Sequence, residues 1–247
     1  MIFTIALREL RNMFLSPLAW TILGASQFIL SWVFFTQIDL FFSIQKELTT
    51  MPNAPGVTDI IVAPVLEIAS IMLLMISPLL TMRLISEERR NGTLTLLLSS
   101  PISISEIVIG KFLGIISFYF ILIAMISLMP LSLMMGTELD LGKLAAGLLG
   151  LLLLLSSFAA AGIFLSSLTT SPIVAAISTF GLLLMLWMIE RSSDGADSLF
   201  TYISLTRHIT PFLRGMVSSI DLAYFVLFIA TFLLLTIRQM DAERLQG

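Results

Sequence analysis

Ionisable side chains are scarce in this chain, and the densest run of them is Glu87-Glu88-Arg89-Arg90. Asn91-Gly92 follows, a pair that stops a helix or turns the chain. Thr93 then stands where it can cap a short apolar helix, Leu94 to Leu98, whose leucines are Leu94, Leu96, Leu97 and Leu98. Ser100-Pro101 ends that helix, because a proline biases the residue before it away from helical geometry. Ser103 and Glu106 have the spacing of a capping box and open the next helix. The chemistry on offer is recognition. Leucines on a short, charge-edged helix must bury either against the protein's own neighbouring helices or against a partner.

Catalysis has little to work with. Cysteine is absent, so thiolate metal sites and disulfides are excluded. His208 is the single histidine. It could titrate near neutral pH, or make a plain hydrogen bond to nearby backbone or to Asp221. As a catalytic base it would need a serine nucleophile in a strained glycine turn. Gly24-Ala25-Ser26-Gln27-Phe28 lacks the second glycine, so the catalytic roles cannot be filled. The 14 methionines raise a Cu(I) path, with Met134-Met135 and Met185/Met188 the closest groupings. Methionine as filler in apolar helices explains them better, and no metal is expected. Glu67 lies inside an apolar stretch, where an ionisable group is a gating or cargo-path candidate; the plain alternative is a carboxylate that reaches interfacial water. Pro78 removes a helical hydrogen bond and offers a kink point, or only a static bend. Glu190 and Arg191 mark the end of another apolar stretch.

The elements that carry these residues are set by composition. Of 247 residues, 57% are hydrophobic and 12% charged, about half the charged share of a soluble domain, and mean hydropathy is +1.04. A net charge of -3 with scattered signs provides no basic face for nucleic acid. A span needs about 20 apolar residues, and six stretches qualify: Pro17 to Phe42, Ile61 to Met82, Ile107 to Met135, Leu141 to Leu168, Ile173 to Ile189 and Leu222 to Ile237. The fold class expected is an all-α integral membrane protein with six transmembrane helices, forming one transmembrane domain over residues 1–247.

Residues 1–15 lack the pattern of a cleavable signal. Phe3, Leu7, Leu10 and Phe14 share one helical face and Thr4, Arg8, Arg11 and Asn12 the other, which predicts an amphipathic helix lying in the membrane interface. With the N-terminus inside, eight basic residues fall on the cytoplasmic side (Arg8, Arg11, Arg83, Arg89, Arg90, Lys111, Arg238, Arg244) against five outside (Lys46, Lys143, Arg191, Arg207, Arg214). That bias puts both termini in the cytoplasm. The turn from Ser166 to Pro172 makes the fourth and fifth spans antiparallel neighbours. Ala146/Gly150 and Ser157/Ala161 allow close helix approach, within one subunit or between two.

The 83–106 loop resembles the coupling segment of ABC-2-type permeases, in the branch typified by the gliding-motility ABC transporter permease. That family runs from an acidic-basic stretch into Gly-Thr-Leu-Glu-Leu-Leu-Leu, then Ser-Pro-Ile-Ser, then Gly-Lys-Phe-Leu-Gly. Gly92-Thr93-Leu94, Leu96-Leu97-Leu98, Ser100-Pro101-Ile102-Ser103 and Gly110-Lys111-Phe112-Leu113-Gly114 match in register, as do Thr81-Met82-Arg83 and Glu87-Glu88. Thr95 departs from the pattern, where the family has Glu, so the role of that Glu is not carried over. Near the end, His208, Arg214, Gly215, Asp221, Tyr224 and Phe225 keep the family spacing, and Ser16-Pro17 is a weaker match.

The resemblance implies a half-transporter. Two permeases and two copies of a separate ABC ATPase make the working unit, which exports cargo across a bacterial cytoplasmic (inner) membrane. Glu87 to Leu98 seats on the ATPase, and ATP closure there shifts the spans from inward-open to outward-open. The 190–221 segment is partly re-entrant in the outer leaflet. No Gly-x4-Gly-Lys-Ser/Thr phosphate loop is present, so ATP and Mg belong to the partner and this chain carries no cofactor. A periplasmic accessory protein is a further candidate partner. The alternative, also suggested by motility-linked members, is a membrane module that transmits force or signal without net transport. The few charges in the spans favour lipid-like, polymeric or peptide cargo over a small ion.

Overall fold

The computed structural model describes residues 1–48, 55–93, 102–192 and 204–246. Of the residues singled out above, Leu94, Thr95, Leu96, Leu97, Leu98, Ser100 and Pro101 lie outside the described residues, as does the stretch 193–203 of the 190–221 segment.

The chain enters through α1 (Ile2–Leu15) and turns at Ser16 into α2 (Pro17–Leu48). Ser16 is extended, and Pro17 takes the first helical position, where its missing N–H is no loss. The Trp20 indole N–H holds the elbow by donating to the Phe14 carbonyl at 2.9 Å. A π-helical turn (Thr58–Val62) leads into α3 (Ala63–Thr81), and a non-helical stretch then delivers α4 (Ser86–Arg90). Four helices follow: α5 (Ile104–Ser132), α6 (Leu141–Ser167), α7 (Pro172–Ser192) and α8 (Leu205–Leu213). The last is α9 (Ser219–Gln246).

Five of these segments are long and apolar enough to cross a membrane: Pro17–Lys46, Thr58–Arg90, Ile104–Met135, Leu141–Ser167 and Ser219–Arg244. The fifth expected span, Ile173 to Ile189, falls on α7, whose apolar part among the described residues, Pro172–Met188, is shorter than these five. The sixth expected span, Leu222 to Ile237, falls inside the last helix, which runs on beyond it. That helix continues to Gln246, because Arg238 to Gln246 holds no glycine or proline to break it.

α6 is the centre of the bundle and packs against α3, α5, α7, α8 and α9. Its small residues explain why. A methyl group at Gly162 would stand 2.2 Å from Thr81 Oγ1 of α3, one at Gly147 2.6 Å from Leu66, and one at Gly150 2.5 Å from Phe212 of α8. The glycine positions are therefore spent on contacts inside the subunit. Phe212 meets α6 nine residues after Leu141, which at about 1.5 Å per residue is roughly 14 Å along the helix.

The expected capping box opens α5: the Ser103 hydroxyl accepts from the Glu106 amide at 3.2 Å, and the Glu106 carboxylate accepts from the Ser103 amide at 3.3 Å. Ser103→Ala is expected to cost about 1 kcal/mol. Thermal unfolding in detergent should read that as a fall of roughly 2–4 °C.

Candidate functional site

The densest run of charge in the sequence folds into α4, and four other helices fasten it. The first fastening is Lys111 on α5. Only 1% exposed, its ammonium donates to Glu9 Oε1 of α1 at 2.9 Å and to Glu88 Oε1 of α4 at 2.7 Å. Arg8 adds looser contacts, 3.5 Å to Glu88 and 3.6 Å to Glu9. Two carboxylates and two cations leave the cluster formally neutral, which is what burial demands. The charge count of the sequence placed Lys111 on the cytoplasmic side; the structure buries it as the shared partner of two helices.

The match Gly110-Lys111-Phe112-Leu113-Gly114 acquires a physical reason here. α1 lies so close to α5 that a methyl group at Gly110 would stand 2.8 Å from Ile5, and one at Gly114 2.8 Å from the Glu9 Cβ. The two glycines admit α1, and the lysine between them pairs with its carboxylate. Glu9 and Ala6 are accordingly the buried residues of α1. Phe3 and Leu7, on the predicted apolar face, remain 83% and 68% exposed and are available to lipid.

The second fastening joins α4 to the far end of the chain. Arg89 donates from one guanidinium nitrogen to both Glu243 oxygens of α9, at 2.6 and 2.7 Å, and Gln239 donates to the same carboxylate at 3.1 Å. The third comes from α6. The buried Ser166 hydroxyl accepts from the Ile85 and Ser86 amides at 3.2 and 3.0 Å and donates to the Met82 carbonyl at 3.0 Å. It thus satisfies amides at the helix start that have no intrahelical partner. Asn91 caps α4 and Gly92 follows with φ +70°. The Thr93 hydroxyl reaches back to the Glu88 carbonyl at 3.2 Å. Arg90 is exposed and Glu87 half-buried. Glu87 and Glu88 border a cavity of about 270 Å³ beneath the α1–α2 elbow, together with Arg83, Asn91 and Lys111.

Neither Glu9 nor Glu243 was singled out from the sequence as a site residue. Glu9 carried a signal: it is the one acid of an amphipathic helix otherwise edged by arginines. Glu243 carried none, since its partner is 154 residues away.

A second cluster gathers at the opposite end of the bundle. His208 Nδ1 lies 2.6 Å from Asp221 Oδ1, and the imidazole stacks on Tyr224 with ring centroids 3.9 Å apart. His208 and Asp221 are both buried. Lys143 pairs with Asp59 at 2.7 Å, and the Asp140 amide donates to Thr58 at 3.1 Å. Gly215 ends α8 with φ +82°, its amide bonding the Phe212 carbonyl while the next amide bonds that of Pro211, a left-handed glycine closure. Gly215→Ala is expected to destabilise by about 1–2 kcal/mol for the backbone strain alone. A methyl there also falls 2.5 Å from Lys143 Cγ, whereas at Gly92 no atom of the described residues lies within 4 Å of the added methyl. Gly215→Ala should therefore lower the thermal midpoint more than Gly92→Ala.

Glu67 and Arg214 border one cavity at this end, whereas Pro78 is buried in the last turn of α3, next to Ser77, whose hydroxyl pairs with Tyr119 at 2.6 Å. Among the described residues no group of three or more metal-binding side chains comes together.

Long apolar helices around a small-residue centre, with a charged cluster gathered at one end, define a multi-pass membrane protein. Residues 3–216 match the ABC-2 family transporter protein family, and the chain belongs to that family. It is the membrane component of such a system, which works with an ABC ATPase and is not itself the ATPase. No curated protein matches the chain.

Proposed function

We propose that this chain is the permease half of an ATP-driven exporter and that α4 receives the stroke of the ATPase. The observation that carries this reading is the fastening of one five-residue helix to α1, α5, α6 and α9 at once. A displacement applied to residues 86–98 would be shared among α1, α5, α6 and α9, not absorbed in a loop. The leucines at 94–98 and Pro101 are the surface that would seat on the ATPase.

Six crossings with both termini cytoplasmic fit the same contacts. Glu9 near the start and Glu243 near the end both reach the α4 end of the bundle, which calls for an even number of crossings. α7 contacts α4, and its Trp187 lines a cavity with Ile209 of α8. Its 21 residues reach about 31 Å, enough for the remaining crossing. The seating of α8 alongside the first turns of α6 supports a re-entrant outer segment. The exposed phenylalanine and leucine of α1 support an interfacial helix, in a bacterial inner membrane.

Native mass spectrometry of the chain purified gently from its host tests the assembly. A mass of two permeases and two ATP-binding chains supports the proposal. A lone chain, or a pair stable without an ATPase when nucleotide is present, opposes it. Net flux in reconstituted vesicles then separates export from force transmission.

A further inference from the structure

One side of α3 carries a row at four-residue spacing: Glu67, Ile71, Met75, Leu79 and, just past the helix end, Arg83. All five are exposed, Met75 by 58%. Residues four apart form a continuous ridge on a helix. This ridge begins on a carboxylate, is apolar for three residues and ends on a guanidinium.

The Glu67 end opens into a cavity of about 380 Å³ whose polar lining includes Asp59, Arg214, Thr206 and Thr210. Asp59 is already paired with Lys143. Glu67 and Arg214 are left, opposite in sign and bordering the same space. They are more than 4.0 Å apart, and neither has an ion-pair partner among the described residues. Glu67 stands eight residues beyond Asp59, about 12 Å further along the helical axis. A carboxylate at that depth needs water or a cationic partner.

We propose that the cavity and the ridge bind a zwitterionic aminophospholipid, a reading that rests on the proposed permease role and names its cargo class. The ammonium pairs with Glu67. The phosphate is held by Arg214, whose planar guanidinium suits phosphate oxygens. An acyl chain lies along Ile71, Met75 and Leu79. A second copy of the chain is the competing occupant of the ridge. If it were docked ridge to ridge about an axis along the membrane normal, it would set Glu67 against Glu67 and Arg83 against Arg83. The lipid meets complementary charge instead.

Native mass spectrometry of the detergent-purified permease tests this without nucleotide or ATPase, so its failure leaves the coupling proposal untouched. The protein is offered an equal mixture of phosphatidylethanolamine and phosphatidylglycerol. Phosphatidylethanolamine should be retained preferentially. Glu67→Gln should lower that retention about tenfold, the worth of one charged hydrogen bond, and Glu67→Asp should recover most of it. Arg214→Gln should weaken both lipids. An unchanged thermal midpoint shows that the variants are folded, as expected for two exposed side chains. Equal retention of the two lipids, unmoved by Glu67→Gln, overturns the proposal. Competition by chain-free glycerophosphoethanolamine as strong as by the lipid also overturns it, in favour of a soluble ligand. Efficient disulfide formation between two copies of Met75→Cys, with lipid retention unchanged, overturns it by assigning the ridge to a contact between copies.

Discussion

Lys111→Met is expected to lower stability by about 3–5 kcal/mol and to uncouple the partner ATPase. The stability loss follows from what remains. Glu9 and Glu88 each direct Oε1 at the same ammonium, at 2.9 and 2.7 Å, and without it two largely buried carboxylates, only 10% and 16% exposed, face each other unpaired by that ammonium. Breaking a buried ion pair from one side carries a penalty of that size. In a chain of this length the thermal midpoint should fall on the order of 10 °C. Stability and coupling can be told apart. Replacing Glu9, Glu88 and Lys111 together by methionine removes every buried charge of the cluster and leaves only Arg8, which is 56% exposed on its side chain. Exchanging a whole buried ion cluster for apolar groups is often close to neutral, so the triple variant should recover most of the midpoint. The proposed role predicts that the ATPase activity of the reconstituted complex, relative to the free ATPase chain, stays at the uncoupled level in both variants. Normal coupling in the triple variant would show that the cluster serves folding alone.

Gly162→Ala is expected to cost about 1–3 kcal/mol, a large effect for one methyl group. The new Cβ would stand 2.2 Å from Thr81 Oγ1 and 2.6 Å from its Cβ. Thr81 has no room to rotate away, because it is fully buried and its hydroxyl donates to the Ser77 and Pro78 carbonyls. The helices α3 and α6 must part at a point one turn from Ser166, whose hydroxyl holds the start of α4. Thr81→Gly removes the opposing Cβ. The double variant should therefore lie well above the sum of the two single losses in a thermal-unfolding cycle. Simple additivity would mean that the two helices do not meet at this pair.

Hydropathy alone determined the class of molecule and most of its helices. A bilayer is a ruler of about 30 Å, and a helix that crosses it must be apolar for its whole length. The capping box was legible for a similar reason: Ser103 and Glu106 are three residues apart, and the bonds they make are local. The ABC-2-type pattern around residues 92–114 was legible as spacing, without the reason for it. That reason is tertiary. Gly110 and Gly114 are small because α1 lies on them, and Lys111 is a lysine because Glu9 and Glu88 converge on it from positions 102 and 23 residues away. Two faces of α1 looked apolar or charged in the sequence, and only packing decided that Ala6 and Glu9 would turn inward. The same holds for Arg89 with Glu243 and for Ser166 beneath α4. Periodicity records which residues of one helix share a face. The partner of that face is set by how separate helices rotate and cross, and there the close approaches allowed by glycine and the need to neutralise buried charge made the choice.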